Sequence, residues 1–317
     1  MEILRTAKLQ KYFKLSKTDY LHAVDGVDLT IDSGKTLGVV GESGCGKSTL
    51  GRLVLGLTPA TSGEVYFQGK DILKSNKAEK KENRINMQII FQDPYASLDP
   101  RMSVYQLIAE PLVRNQLCES KEEIYDRITY LMDRVGLATR FINSYPHEMD
   151  GGRRQRVGIA RALAPNPKFI VCDEPVSALD VSIQAQILNL LMDMQDENDL
   201  TYLFITHDLS VVKHISDEIM VMYLGQCVER APSRELFAAP SHPYTKALLA
   251  AIPQPVLGRR LNRNIIKGEI SNPINPKAGC RFASRCPHSN PKCIGREIPT
   301  IEISQGHYVT CTLFQNN

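Results

Sequence analysis

The chain of 317 residues is 43% hydrophobic and 23% charged, which is ordinary for a folded globular protein and excludes a disordered or fibrous one. No run approaches the ~18 apolar residues that a membrane helix needs. The opening Met1-Glu2-Ile3-Leu4-Arg5-Thr6-Ala7-Lys8 is too charged for a secretory leader, so a cytosolic protein is expected, with any work at a membrane left to a separate partner.

In chain order, Val24, Val27, Leu29 and Ile31 alternate with polar neighbours and predict a half-buried strand. The apolar stretch Thr36-Leu37-Gly38-Val39-Val40 predicts a second. Directly after it comes Gly41-Glu42-Ser43-Gly44-Cys45-Gly46-Lys47-Ser48, a full match to G-x-x-x-x-G-K-[ST], followed by Thr49 and a helix expected over 48–57, stopped by Thr58-Pro59. Glycines at Gly41, Gly44 and Gly46 let backbone N–H groups close on phosphate oxygens, Lys47 reaches the β/γ-phosphates, and Ser48 offers a hydroxyl to Mg²⁺. ATP or GTP is the expected ligand.

Gly63 to Gly69 reads as a short strand and 74–83 as a charged loop or short helix. From about 93 to 161 the pattern is helical. Ser120-Lys121-Glu122-Glu123 is a capping box, Ile124, Ile128, Leu131, Met132 and Val135 share one face, and Gly136 is the stop. Strand 169–172, helix 183–195, strand 202–206, helix 209–216 and strand 218–223 follow, and this alternation implies a mostly parallel sheet. Beyond Arg234 the composition turns to Pro, Asn and basic residues, with one helix expected over 244–251 and ended by Pro253. The tail from Arg234 holds 11 Lys/Arg against 4 Asp/Glu, a balance of +7, and the rest 27 against 31, or −4. Such a tail either faces an anionic group or is a solvated surface. We place domains at 1–233, with the helical part at about 93–161, and at 234–317.

Phe169-Ile170-Val171-Cys172-Asp173-Glu174 is an apolar strand ending in two carboxylates, the first suited to holding Mg²⁺ and the second to polarising an attacking water. Phe91-Gln92-Asp93-Pro94, Ser177-Ala178-Leu179-Asp180 and Ile205-Thr206-His207-Asp208 stand at strand ends, where ligand contacts gather in open α/β sheets. With these motifs the whole chain resembles the ABC transporter ATPases, and most nearly the ATPase subunits of oligopeptide, dipeptide and nickel importers. The closer cues are Phe91 to Arg101, Asp173-Glu174-Pro175-Val176-Ser177-Ala178-Leu179-Asp180, and Ser241-His242-Pro243-Tyr244-Thr245.

The resemblance implies an α/β P-loop core with a small antiparallel β subdomain, a helical subdomain and a cysteine-containing C-terminal extension. It implies that the loop from Gly41, through Ser43 and Cys45, to Thr49 binds ATP and that Asp173 holds Mg²⁺. Glu174 would be the general base, Gln92 would sense the metal and couple to the permease, and His207 would contact the γ-phosphate. An aromatic residue would stack on adenine, Phe13 in the first place and Tyr12 in reserve. The implied partners are two permease subunits, a sister ATPase and an external binding protein, at the cytoplasmic face of the membrane; the cargo is a peptide or a nickel or metal chelate. A soluble ABC ATPase acting on DNA or ribosomes is the alternative.

The family signature Ser-Gly-Gly-Gln appears here as Asp150-Gly151-Gly152-Arg153 after Met149. Asp150 can cap the helix as Ser would. It also sets a carboxylate beside a polyanion, where like charges 4 Å apart repel by ~4 kcal/mol at an effective dielectric near 20, less whatever Arg153 offsets. A heterodimer with a sister ATPase of intact signature is therefore expected. The run Arg153-Arg154-Gln155-Arg156 with Arg161 is read as the helix behind the signature rather than as a nucleic-acid surface.

Cys280-x₅-Cys286-x₆-Cys293-x₁₇-Cys311 places four thiols in a Pro-rich segment with little hydrophobic material. Zinc, free thiols or an iron–sulfur cluster fit the residues alone. Some importer ATPases resembling this chain carry a [4Fe–4S] cluster here, which is the favoured expectation. His288 and His307 are expected to be surface residues rather than ligands.

Overall fold

The computed structural model describes residues 1–251 and 273–315. Its strands are β1 (Glu2–Lys14), β2 (Tyr20–Asp32), β3 (Thr36–Val40), β4 (Ser62–Phe67), β5 (Lys70–Asp71), β6 (Met87–Ile90), β7 (Phe169–Asp173), β8 (Thr201–Ile205), β9 (Glu218–Tyr223), β10 (Gln226–Pro232), β11 (Ile301–Ser304) and β12 (His307–Val309). Its α-helices are α1 (Lys47–Val54), α2 (Lys77–Asn86), α3 (Val104–Asn115), α4 (Lys121–Arg134), α5 (Gly151–Leu163), α6 (Val181–Asn198), α7 (Leu209–Ile215), α8 (Ser233–Ala238) and α9 (Pro243–Ala250). Two compact units divide them: one comprises Asp32–Lys35 and Lys74–Phe204 with Met1, the other Glu2–Ile31, Thr36–Leu73 and Ile205–Asn317.

In the first unit the strands lie in the order β8-β7-β6, with β6 parallel to β7 from Met87 opposite Phe169 to Ile90 opposite Cys172. Every residue of β7 is buried, as an unbroken apolar run demands of a strand covered on both faces. Helices α3, α4 and α5 pack on one another around Leu107, Ile108, Leu112, Ile128, Leu131, Met132 and Val157. Ser103 and Gln106 close a capping box on α3. At α4 only half of the expected box forms: Ser120 accepts from the Glu123 N–H, while the Glu123 carboxylate takes the N–H of Glu119 instead of that of Ser120. Helix α6 buries Ile187, Leu188, Leu190, Leu191 and Met194 on one stripe and ends at Asp199, whose φ is +51°.

The second unit holds an antiparallel sheet in the order β2-β1-β4-β5 and a ladder β11-β12-β10-β9-β3, parallel between β3 and β9 and antiparallel beyond. The hairpin from β9 to β10 turns on Leu224 and Gly225, both at positive φ as a two-residue turn with the twist of its strands requires. A core of Val40, Val221, Tyr223, Leu224, Leu236, Tyr244 and Phe282 joins the phosphate-loop strand to the C-terminal residues.

Several boundaries differ from expectation. The helix after the phosphate loop stops at Val54, because Gly56 turns the chain at φ +65° before Thr58-Pro59 is reached. The charged stretch is a true helix displaced to 77–86, since Asn76 and Glu79 cap it reciprocally. Among the described residues, the tail contributes β11, β12 and the fully buried Phe282, which its composition did not suggest. Pro253, expected to end α9, lies outside the described residues.

Candidate nucleotide site

β3 is buried throughout and delivers the chain into Gly41 (φ +155°), Gly44 (+77°) and Gly46 (+102°). A Cβ at Gly46 would sit 1.9 Å from the Ala23 carbonyl oxygen, and one at Gly41 2.2 Å from that of Met222. Glycine is required at both, on space as well as on φ. Lys47, the first residue of α1, is 5% exposed and donates to the Gly41 and Glu42 carbonyls at 2.9 and 3.2 Å, so its ammonium is held over the loop. Ser48 and Thr49 occupy the first turn of α1, where N–H groups lack helical partners. Glycine cradle, buried lysine and helix start together fit a nucleoside triphosphate with its Mg²⁺. The Cys45 side chain is buried, which pushes its thiol up, and its sulfur lies 3.9 Å from Lys47 Nζ.

The two candidate base platforms point to opposite faces of β1. The Tyr12 ring stacks on His22 with centroids 3.7 Å apart and its hydroxyl donates to Asp25, while Phe13 is 39% exposed with Lys11 Nζ 5.0 Å from its ring centre.

In the first unit, Asp173 closes β7 at 4% exposure and Glu174 follows at φ +49°, a left-handed turn that a carboxylate residue adopts at a cost of about 1–3 kcal/mol. Gln92 Nε2 donates to Glu174 Oε2 at 3.0 Å, so the structure brings together two residues 82 apart in sequence. Ser177 donates both its N–H and its hydroxyl to the Glu174 carbonyl, tightening the turn toward Asp180, the N-cap of α6. His207 is exposed in the second unit, just before Asp208 caps α7.

Asp150 is the N-cap of α5 and accepts the Arg153 N–H at 2.8 Å, while the Arg153 guanidinium lies 3.2 Å from the same carboxylate. Gly152 is needed for packing, since a Cβ there would come within 2.9 Å of Ile183 Cγ2; Gly151 has more room, with Leu179 at 3.5 Å. The arginines behind them are consumed locally. Arg154, Arg156 and Arg161 donate to the carbonyls of Pro146, Val135 and Ser97, and Arg154 also stacks on Tyr95. A phosphate-reading face would leave these forks outward.

Burial is the largest cause of the raised thiol pKa values of Cys280, Cys286 and Cys311, with neighbouring tail cysteines adding to it, and pushes Cys280 up to about 11. Cys280 N–H donates to the Cys293 carbonyl at 2.8 Å, and Cys293 Sγ lies 3.2 Å from the Thr312 hydroxyl. Among the described residues no group of three or more His, Cys, Asp or Glu is arranged to hold a metal ion. His288 is exposed as expected, but His307 is 1% exposed, because pairing of β12 with β10 carries it inward. Its Nε2 meets Glu229 at 2.8 Å and its Nδ1 meets Glu235 at 3.0 Å.

Sequence reasoning missed the residues of the tail that reach the phosphate loop: Tyr244 and Arg285 both bind Glu42. The only prior signal was Ser241-His242-Pro243-Tyr244-Thr245, a motif whose tyrosine carries a polar tip on a buried body.

Residues 24–177 match the ABC transporter family, and 228–293 match the oligopeptide/dipeptide transporter C-terminal region. The oligopeptide transport ATP-binding protein OppF of Salmonella typhimurium is 53% identical over 293 residues, 92% of this chain and 87% of its own. The dipeptide transport ATP-binding protein DppF of Haemophilus influenzae is 46% identical over 98% of this chain and 96% of its own. Among solved structures, a dimeric ATP-binding cassette, MJ0796, in a post-hydrolysis state bound to ADP and Pi superposes with a TM-score of 0.67 at 29% identity, covering 73% of this chain and 99% of that one. A phosphate loop closed around Lys47, a β7 strand ending in paired carboxylates and relatives of this closeness lead to one conclusion: the chain belongs to the ABC transporter family and is an ATPase of its oligopeptide/dipeptide transporter branch.

Proposed function

We propose that this ATPase drives uptake of short peptides through a membrane permease, bound to it peripherally at the cytoplasmic face. The observation that carries the reading is the Gln92–Glu174 contact at the end of β7, which aims a carboxylate by a side chain the resemblance assigns to permease coupling. Mg²⁺, when bound, neutralises charge developing on the phosphates, and Ser48 and Asp173 would hold it. Glu174 accepts a proton from the attacking water as its oxygen bonds to the γ-phosphorus and ADP leaves with the bridging oxygen. Lys47 and the loop N–H groups take up the charge, and His207 is assigned to the γ-phosphate. Phe13 is favoured over Tyr12 as adenine platform, because the Tyr12 face is already covered by His22.

Peptide cargo is favoured over nickel by the names of the relatives, which are oligopeptide and dipeptide transporters. The external binding protein and two permease subunits follow from that reading. The sister ATPase follows from Asp150: its carboxylate would face a γ-phosphate in a homodimer at both sites, and in a heterodimer at only one. The domain limits of 1–233 and 234–317 are kept as a functional division between cassette and importer-specific extension. A [4Fe–4S] cluster on Cys280, Cys286, Cys293 and Cys311 rests on the resemblance alone, since the described residues show no group arranged to hold a metal ion; anaerobic purification with iron analysis tests it, and a colourless, iron-free protein rejects it.

The deciding experiment reconstitutes the complex in vesicles and follows peptide uptake with ATP turnover. Lys47→Ala and Glu174→Gln are expected to abolish both. Uptake that persists in either variant rejects the motor role, and full turnover by this chain alone rejects the need for a sister subunit.

A further inference from the structure

Glu42 is the first variable position of the phosphate loop, and it is held through both its backbone and its carboxylate. Its N–H donates to Tyr244 Oη at 2.9 Å, and its two carboxylate oxygens accept from Arg285 Nη2 and Nη1 at 3.0 and 2.8 Å. The fork is sheltered, with side-chain exposure of 7% for Arg285 and 19% for Glu42. Arg285 also donates to Tyr223 Oη at 3.2 Å, and the hydrogen bonds with Glu42 hold its own pKa above the ordinary arginine value. Four residues earlier, Arg281 donates to the Leu224 carbonyl and to Asp25. The next residue of that turn, Gly225, donates its N–H to the carbonyl of Cys45, inside the loop, at 2.8 Å. Phe282, between the two arginines, packs edge-on against Tyr223 at 5.3 Å and anchors both in the core.

From this geometry we propose that Arg285, with Tyr244, is a positioning residue for ATP binding: the C-terminal region holds the phosphate loop in its phosphate-accepting form and neutralises the carboxylate that Glu42 would otherwise present to a polyanion. Two physical effects combine. A loop rich in glycine loses much conformational freedom on closing around phosphate, so bonds that fix it beforehand convert directly into affinity. A carboxylate within the loop repels the triphosphate unless it is paired, and a bidentate arginine pairs it in a fixed direction. Neither effect touches the attacking water. Arg285 therefore acts on nucleotide affinity and not on the chemical step.

The test uses the full chain for Mg·ATP binding, read with a fluorescent ATP analogue, and the assembled transporter for KM and kcat. Arg285→Ala is expected to raise Kd and KM about tenfold or more while kcat at saturation stays within about threefold, the signature of lost binding rather than lost chemistry. Arg285→Lys keeps the charge and loses the fork, so it should fall between. In a Glu42→Ala background, Arg285→Ala should change Kd by less than about twofold, since the two residues act as one unit. The proposal is overturned if Arg285→Ala leaves Kd within about twofold of wild type, if kcat falls as far as kcat/KM, or if the two substitutions add. Should Arg285→Ala not fold, Tyr244→Phe decides: it keeps the ring and removes the acceptor of the Glu42 N–H, and an unchanged Kd refutes the role of the tail.

Discussion

Glu229 is the most consequential buried charge in the tail's attachment. Its side chain is fully buried, one oxygen accepts the Ser241 N–H at 2.7 Å and meets His307 Nε2 at 2.8 Å, and the other accepts the His242 N–H at 2.9 Å. Glu229→Gln replaces one of these oxygens by an NH₂ group that confronts a backbone donor, leaving a buried N–H without an acceptor. An orphaned buried group costs about 1–3 kcal/mol and a lost charge-assisted bond about as much, so a loss of about 2–4 kcal/mol is expected. Glu229→Ala orphans both N–H groups and opens a cavity, for about 3–6 kcal/mol. Urea unfolding of the full chain gives the magnitude, and amide hydrogen exchange at Ser241 and His242 gives the place. Glu235→Gln is the control, because that carboxylate meets the other side of His307 from a partly solvent-exposed side chain, where screening leaves a contact little weight. A Glu229→Gln protein within ~1 kcal/mol of wild type, with unaltered exchange at both amides, refutes the argument.

Burial lowers the pKa of His242 from 6.5 to about 4, and its Nδ1 accepts the Tyr244 N–H, so the folded protein requires the neutral ring. The stabilisation is complete above pH ~6.5 and is lost as pH falls toward 4, by roughly 3 kcal/mol for a shift of this size. His242→Asn keeps a cap without titrating, and its unfolding midpoint should fall less on acidification; parallel pH profiles would refute this. Gly46→Ala forces a Cβ into the Ala23 carbonyl, and ATP affinity should drop more than about tenfold, read by nucleotide titration, with unchanged affinity counting against the cradle geometry. Glu174→Gln should lower kcat about 10²- to 10⁴-fold and leave nucleotide binding intact; a smaller loss in single-turnover hydrolysis would remove Glu174 as the base.

The parts legible in the sequence are those whose signal is local. The phosphate loop declares itself through glycine spacing after an apolar strand, and β7 through an unbroken apolar run that ends in two acids. Asp150 was readable as an N-cap because capping is decided within three residues. What could not be read depends on distant partners or on irregular pairing. His307 sits in a three-residue strand beside a glycine, and only pairing with β10 buries it. Glu229, between Val228 and Arg230, reads as an ordinary outward residue of an alternating strand. The register shift between Cys227 and Glu229 breaks that alternation, as a bulge does, and Glu229 ends up buried. Arg285 looks like one more charge in a basic tail until Glu42 is placed opposite it.

Glu42 and Arg285 are 243 positions apart, so a ribosome delivers the two halves of the fork at very different times. At about 5–20 residues per second the nascent cassette exists for tens of seconds with its phosphate loop made and its clasp not yet synthesised. With Arg285 positioning the loop as proposed, high-affinity nucleotide capture waits for the segment that carries the clasp, and a polypeptide cut short before Arg285 binds ATP more weakly than one that includes it.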